Sequence, residues 1–166
     1  MIPRYRLLAS RIRTELRTLE RSVDQAEGAL ARAEQQSADQ SYFLAAVAFE
    51  LHSFYAGLER LFEVIGSDVE QSRPSGAAWH RDLLGQMTLS IADVRPAVVQ
   101  AETQAALLEY LEFRHVVRHM YTFDLRAERV MELGRGLRPA FDLARRDLLR
   151  FAEFLDGLAT ADETGM

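Results

Sequence analysis

Residues 113–121 read Phe-Arg-His-Val-Val-Arg-His-Met-Tyr, and the interpretation of the whole chain starts from them. On a helix that turns about 100° per residue, the apolar members fall within one arc: Phe113, Val116, Val117 and Met120. The two arginines, two histidines and the tyrosine share the remaining arc. The stretch therefore predicts an amphipathic helix whose apolar arc packs in a core and whose chemically active arc faces away from it.

Apolar residues with helical spacing also lie upstream of this stretch. They predict a first helix over 5–33 and a second, more apolar helix over 40–65. Asp39 is the predicted N-cap of the second helix, and Gly66 is its predicted C′ residue. A third, shorter helix is predicted over 77–91, and a fourth begins near Ala101 and carries residues 113–121.

The C-terminal segment contains helix breakers. Gly134, Gly136 and Pro139 predict a break between a short helix over 127–133 and a final long helix. No stretch alternates as a strand would. The sequence thus predicts an all-α protein with a single domain over 1–160 and a frayed tail at 161–166: an antiparallel up-and-down bundle of four long helices plus shorter ones.

Composition narrows the classes of function. The 166 residues carry a net charge of −5, all 20 basic residues are arginine, and there is no cysteine. The charge argues against a broadly basic coat for nucleic acid, and disulfides and cysteine nucleophiles are excluded. The charged N-terminus does not resemble a signal peptide, and no apolar run approaches the roughly 20 residues that span a bilayer. We therefore expect a cytoplasmic protein without a membrane partner.

The polar arc of residues 113–121 has three interpretations. Arginine binds phosphate through two parallel hydrogen bonds, and histidine exchanges protons near neutral pH, so together they suit phosphodiester cleavage. RNA would supply its own nucleophile, the 2′-hydroxyl. A solvated helix face is the plain alternative. The spacing of His115 and His119 also matches two metal ligands on a helix, although no further ligand is evident nearby.

Helix geometry restricts how the site can be assembled. Arg114 and His119 are separated by about 140° on a regular helix, so they cannot easily grip one phosphate from a single straight helix. Either the helix loosens before His119, or two subunits contribute to one site.

Three segments resemble the HepT-like group of the HEPN superfamily. The first is Arg114, four residues, His119, one residue and Tyr121, late in a helical chain. The second is 51–62, Leu-His-Ser-Phe-Tyr-Ala-Gly-Leu-Glu-Arg-Leu-Phe. The third runs from Pro-Ser-Gly at 74–76 to Trp-His-Arg-Asp-Leu-Leu at 79–84. They occur in the order that the family requires.

The resemblance implies an endoribonuclease toxin of a toxin–antitoxin pair that needs no metal or other cofactor. It implies a homodimer whose subunits form a shared cleft for RNA, with Arg114 orienting the phosphate and His119 acting as acid/base. Tyr121 matches the tyrosine to which a partner nucleotidyltransferase antitoxin attaches AMP, and the added charge and bulk would obstruct RNA.

Other residues keep two interpretations each. His115 and Arg118 are candidates for substrate binding or solvated side chains. Glu59 is either the polar residue that the second helix contributes to the site or part of a surface pair. Tyr55 and Trp79 are predicted to lie in the core rather than to stack on bases. The alternative function is a non-catalytic HEPN bundle that binds a nucleotidyltransferase or a nucleotide.

Overall fold

The computed structural model describes residues 2–35, 38–117 and 126–165. Five α-helices account for most of this part of the chain: α1 (Ile2–Ala33), α2 (Gln40–Ile65), α3 (Trp79–Met87), α4 (Ala101–Val117) and α5 (Ala127–Thr164). Within these ranges the only extended pairing is an isolated bridge between Ile91 and Arg95. The all-α prediction is confirmed. No helix in the described ranges is both long and apolar enough to cross a membrane.

Helix α1 presents one apolar stripe to the core, as its spacing predicts. Every member of the stripe is buried: Leu8, Ile12, Leu16, Leu19, Val23, Ala26, Leu30 and Ala33. Burying one large aliphatic side chain contributes about 1.5–3 kcal/mol, so a stripe of this length anchors the helix even though its other face is charged.

Helix α1 runs antiparallel to both α2 and α5. In the ion pairs between α1 and α5, the residue number rises along α1 as it falls along α5. The pairs are Arg6–Glu163 at 2.8 Å, Arg13–Asp156 at 2.7 Å and Asp24–Arg138 at 2.6 Å. Near the opposite ends of α1, Arg4 donates to the carbonyl of Asp68 and Gln40 donates to that of Ala33. Such exposed pairs add little stability, but their order establishes the helix directions.

Helix α2 has the predicted bounds, whereas the predicted role of Gly66 as a residue that ends the helical path is wrong. Gly66 has right-handed helical angles (φ −58°, ψ −42°), and the chain continues through a π-helical turn, Gly66–Glu70, to Gln71 at φ 55°. The reason for glycine is steric, because a Cβ at position 66 would lie 2.9 Å from the carbonyl oxygen of Ser72. Asp39 is the N-cap residue, but its carboxylate makes no capping hydrogen bond.

Helix α3 is shorter than predicted because its last carbonyls are engaged by the following loop. The backbone N–H groups of Val98 and Val99 donate to the Met87 carbonyl at 2.8 and 3.1 Å. Arg95, whose side chain is fully buried, donates to the carbonyls of Gln86 and Leu89 and pairs with Glu70 at 2.5 Å. This buried arginine joins the π-helical turn, α3 and the loop that leads to α4.

Helix α5 is continuous, so the predicted break at 134–139 is wrong. Gly134 and Gly136 allow close packing instead: added Cβ atoms would lie 3.2 Å from the Leu30 side chain and 3.1 Å from the Tyr110 hydroxyl, respectively. Pro139 lies inside the helix on its exposed face, where water can satisfy the carbonyl that loses its partner. The segment predicted to fray is helical as far as Thr164.

The glycines differ in what a methyl group would meet, and we expect stability changes of opposite sign. Gly157→Ala should raise the free energy of unfolding by about 0.5–1 kcal/mol, because position 157 is an exposed helical site with no atom within 4 Å of the added Cβ. Gly66→Ala should lower it by about 1–3 kcal/mol, the usual range for overpacking. Urea unfolding of both variants measures the difference. Equal effects would refute the steric explanation for Gly66.

The N-terminus of α4 is capped by a side chain from α5. The buried carboxylate of Asp147 accepts hydrogen bonds from the Gln100 backbone N–H at 2.9 Å and from the Thr103 hydroxyl at 2.5 Å, and Arg146 donates to its other oxygen. Burial alone would raise the pKa of Asp147, but these donors together hold its pKa below the ordinary value.

This capping contact should make stability depend on pH. Because the folded-state pKa of Asp147 is lowered, the contribution is complete above the ordinary aspartate pKa of about 4 and is lost as the pH falls below it. Asp147→Asn should lower the free energy of unfolding by about 1.5–3 kcal/mol at neutral pH. The difference in unfolding free energy between this variant and the parent should shrink as the pH falls towards about 3. Denaturation midpoints across this range measure it. A constant gap would mean that the charge of Asp147 is unimportant.

Candidate active site

Three side chains from three helices meet at a buried carboxylate. Glu59 lies on α2 and is 4% exposed. Its Oε1 accepts a hydrogen bond from Nη1 of Arg114 at 2.7 Å, and its Oε2 lies 2.8 Å from Nδ1 of His80. We call these residues the Glu59–His80–Arg114 cluster. The alternative that Glu59 belongs to an exposed surface pair is wrong, because both of its oxygens are engaged in the interior.

The contacts indicate which tautomer a neutral His80 adopts. An ionised carboxylate only accepts hydrogen bonds, so the 2.8 Å contact requires a proton on Nδ1. Nδ1 then has no lone pair for Arg114, whose Nη1 lies 3.3 Å away. In neutral His80 the other ring nitrogen, Nε2, therefore carries the lone pair.

Arg114 lies in the last described turn of α4. Its side chain is 16% exposed, and its Nε is buried with no hydrogen-bond partner in the described ranges. Only one of its donor nitrogens, Nη1, contacts Glu59. The guanidinium is thus held through Nη1, and a bound anion could reach its terminal nitrogens but not the buried Nε.

Tyr55 lies one helical turn before Glu59 and is fully buried, as predicted for a core residue. Burial raises its pKa, the negative charge of Glu59 raises it further, and Arg114 opposes them in part. Its phenol therefore stays protonated at neutral pH. Its buried side chain lies near enough to Glu59 and Arg114 for both charges to affect its pKa.

A cavity of about 360 Å³ opens beside the cluster. Its polar lining consists of His80, Arg81, Glu112, Arg114 and His115, and its apolar lining of Ala77, Ala78, Leu111 and Val116. His80 and Arg114 of the cluster form part of the wall, and Glu59 lies behind them in contact with both. The cavity therefore offers a guanidinium and imidazole groups to a small anionic or polar group.

The indole ring of Trp79 stacks on the imidazole of His80. The two rings stack with centroids 3.7 Å apart and an interplanar angle of 30°. Trp79 is half-buried against the core and also lines a second cavity of about 440 Å³ with Arg73 and Glu63. The prediction that Trp79 is a core residue therefore holds only in part. Its stacking contact restricts rotation of the His80 ring.

A family model described as "HepT-like protein" matches residues 46–155. The chain belongs to the HepT-like family. The matched range includes every residue of the cluster and the whole of 113–121, so the resemblance seen in the sequence is confirmed at the level of the family. No curated protein and no solved structure matches the chain.

Among the predicted site residues of this HepT-like chain, the structure brings Glu59 and Arg114 into contact and places His115 on the wall of the same cavity. Arg118, His119 and Tyr121 lie outside the described residues, as does Met120. One member of the predicted apolar arc differs: Val116 is 47% exposed and lines the cavity, whereas Phe113 is buried.

His80 is the residue of the cluster that the sequence did not single out. It lies in the segment 79–84, which contributes to the family resemblance, but 34 residues separate it from Arg114. Local spacing cannot indicate a contact between helices so far apart in sequence. The sequence marked His80 only by residue type, since histidine is rare in this chain and occurs four times.

Proposed function

We propose that this HepT-like protein is an endoribonuclease and the toxin of a toxin–antitoxin pair. In this proposal Arg114 binds the scissile phosphate, and His119 acts as acid/base in a cleft shared by two subunits. The observation that carries it is the position of Arg114, which lines a cavity while a buried carboxylate holds its Nη1. Family membership adds support, because HEPN proteins include ribonucleases.

The chemistry requires no external nucleophile. The 2′-hydroxyl of RNA attacks the adjacent phosphorus, and negative charge accumulates on the non-bridging oxygens. A guanidinium that is already oriented stabilises this charge without reorganising during the reaction. Glu59 supplies that orientation through Arg114 Nη1. The reaction so described needs no metal ion.

Helix geometry supports a site that combines two subunits. On a regular helix Arg114 and His119 point about 140° apart, and a second copy would allow one subunit's arginine to face the partner's histidine. Val116, which is exposed, and the apolar lining of the cavity provide surface for such a contact.

The direct test is cleavage of RNA by the purified protein in the presence of EDTA. We expect cleavage of tRNA or mRNA by the parent and growth arrest on expression. His119→Ala should cleave RNA about 10²–10⁴-fold more slowly than the parent, and its expression should no longer arrest growth. His52→Asn, which changes a histidine outside the residues that line the cavity, is the matched control. Parental activity in His119→Ala would end this assignment of roles.

We further propose that a nucleotidyltransferase antitoxin regulates the site by attaching AMP to Tyr121. The phosphate would add negative charge beside the site and repel RNA. After co-expression with such a partner, mass spectrometry should find AMP on Tyr121, and Tyr121→Phe should stay toxic in its presence. An unmodified, inactive complex would instead indicate inhibition by binding.

One observation favours a second candidate, a non-catalytic bundle that binds a nucleotidyltransferase or a nucleotide. Glu59 neutralises the charge of Arg114 within the fold, and the net charge of −5 disfavours a polyanion. This candidate predicts no RNA cleavage under any condition, together with measurable binding of a nucleotide or of the partner enzyme. The EDTA assay therefore separates the two.

A further inference from the structure

Cleavage by the 2′-hydroxyl requires two proton transfers. As the 2′-oxygen bonds to phosphorus, its proton must leave, and as the bond from phosphorus to the 5′-oxygen breaks, that oxygen must gain a proton. In the proposed cleft the His119 that faces Arg114 comes from the other subunit, and it accounts for one of these transfers. A second acid/base group at the site would complete the pair.

We propose that His80 is this second group and acts as the general base towards the 2′-hydroxyl. The inference rests on the proposed ribonuclease function and extends it. Its geometric basis is the cluster: Glu59 binds Nδ1–H of His80 at 2.8 Å, so the lone pair lies on Nε2. His80 lines the cavity beside Arg114, and 24% of its side chain is exposed. A phosphate bound by Arg114 would bring a ribose hydroxyl to this wall.

The surroundings of His80 suit a general base. The carboxylate of Glu59 stabilises the imidazolium as it forms, in the way that a buried aspartate supports the histidine of a serine protease. Nη1 of Arg114 lies 3.3 Å from Nδ1 of the same ring. The other charged or titratable groups that line the cavity are Arg81 on its own helix and Glu112 and His115 on α4, and Arg81 and Glu112 pair at 3.3 Å.

Stacking fixes the ring for this role. Trp79 stacks on one face of the imidazole, with the ring centroids 3.7 Å apart, and Glu59 binds the edge of the ring at Nδ1. Two contacts of different kinds thus define the ring plane and its rotation. A histidine that served only as an exposed polar residue would need neither contact.

The proposed step is balanced. The lone pair of His80 Nε2 takes the proton of the 2′-hydroxyl, the 2′-oxygen bonds to phosphorus, and the bond from phosphorus to the 5′-oxygen breaks. The 5′-oxygen receives a proton from His119. The products are a 2′,3′-cyclic phosphate and a 5′-hydroxyl, and exchange with water returns both histidines to their starting states.

The test uses two substitutions of His80 that separate chemistry from structure. Asparagine can present an amide N–H to Glu59 in place of Nδ1–H but has no titratable nitrogen. Alanine removes both. We compare His80→Asn, His80→Ala, His119→Ala, the control His52→Asn and the parent, all with EDTA, and measure their thermal unfolding alongside.

We expect His80→Asn to cleave RNA about 10²–10⁴-fold more slowly than the parent while unfolding at nearly the same temperature. In the parent, the cleavage rate should fall at acidic pH because the base becomes protonated. The residual rate of His80→Asn should not show this fall. Added imidazole should raise the rate of His80→Ala. The end groups of the parent's products should be a cyclic phosphate and a 5′-hydroxyl.

Each other outcome overturns a specific claim. If the parent cleaves RNA, His119→Ala does not, and His80→Asn matches the parent, the role of His80 is refuted and the proposed function stands. If His80→Asn is slow but keeps the parental pH profile, His80 is a positioning residue and not the base. If the parent and all variants leave RNA intact, both the proposed function and the inference about His80 are refuted.

Discussion

Arg114→Lys should cleave RNA about 10²–10³-fold more slowly than the parent, nearly as slowly as Arg114→Ala. Lysine keeps the positive charge, but it replaces a planar guanidinium with a single ammonium group. In the parent, Nη1 is held by Glu59 at 2.7 Å, and the guanidinium carries a second terminal nitrogen, Nη2, that can donate to phosphate. One ammonium cannot pair with the buried carboxylate and also bind phosphate through two parallel bonds.

Initial rates on a labelled RNA in EDTA provide the measurement. Arg135→Ala is the matched control, since Arg135 is an exposed arginine on α5 that pairs with Glu34 at 2.8 Å away from the cavity-lining residues. It should keep the parental rate. An Arg114→Lys protein as fast as the parent would show that charge alone suffices, and the argument from an oriented guanidinium would fail.

Glu59→Ala should lower the free energy of unfolding by about 3 kcal/mol, at the lower end of the range for breaking a buried ion pair. The lower end applies because Arg114 is 16% exposed and water can reach part of its guanidinium. The substitution leaves Arg114 and the Nδ1–H of His80 without their carboxylate. Urea unfolding measures the loss.

A double substitution separates stability from function. Glu59→Leu with Arg114→Met replaces both charges by apolar side chains and should recover most of the lost stability. It should nevertheless remain inactive on RNA, because no group then binds phosphate. A double variant that is as unstable as Glu59→Ala would mean that shape, and not the unpaired charge, determines the loss.

The sequence predicted those elements whose burial follows from local periodicity. The stripe of α1 is buried throughout, and α2 has the predicted bounds, because a regular spacing of apolar residues reports one buried face. The extent of α3 was predicted poorly, since the residues that end it, Arg95 and Val98, act through the tertiary structure.

Gly134, Gly136 and Gly66 show why helix breakers misled the prediction. A glycine can mark a turn, or it can mark a place where another segment approaches the helix closely, and the sequence does not distinguish them. Here Leu30 and the Tyr110 hydroxyl approach the first two, and the Ser72 carbonyl approaches the third. The steric reason exists only once α1, α4 and the loop after α2 are in place.

The candidate site was predictable where two residue types had an established pattern and unpredictable where a contact joined distant helices. Arg114 followed from its pattern. The burial of Glu59 did not, since its stripe on α2 also suited a surface pair, and only the contacts from α3 and α4 decide between them. His80 belongs to the cluster through one hydrogen bond and one ring stack, and neither leaves a periodic signal.

The most direct test of a shared ribonuclease site uses two inactive proteins. Arg114→Ala and His119→Ala are unfolded, mixed and refolded together, and RNA cleavage in EDTA is compared with that of each protein refolded alone. A site built from two subunits predicts that both proteins are inactive alone and that the mixture regains part of the parental activity. Parental activity in either variant alone, or an inactive mixture, would contradict it.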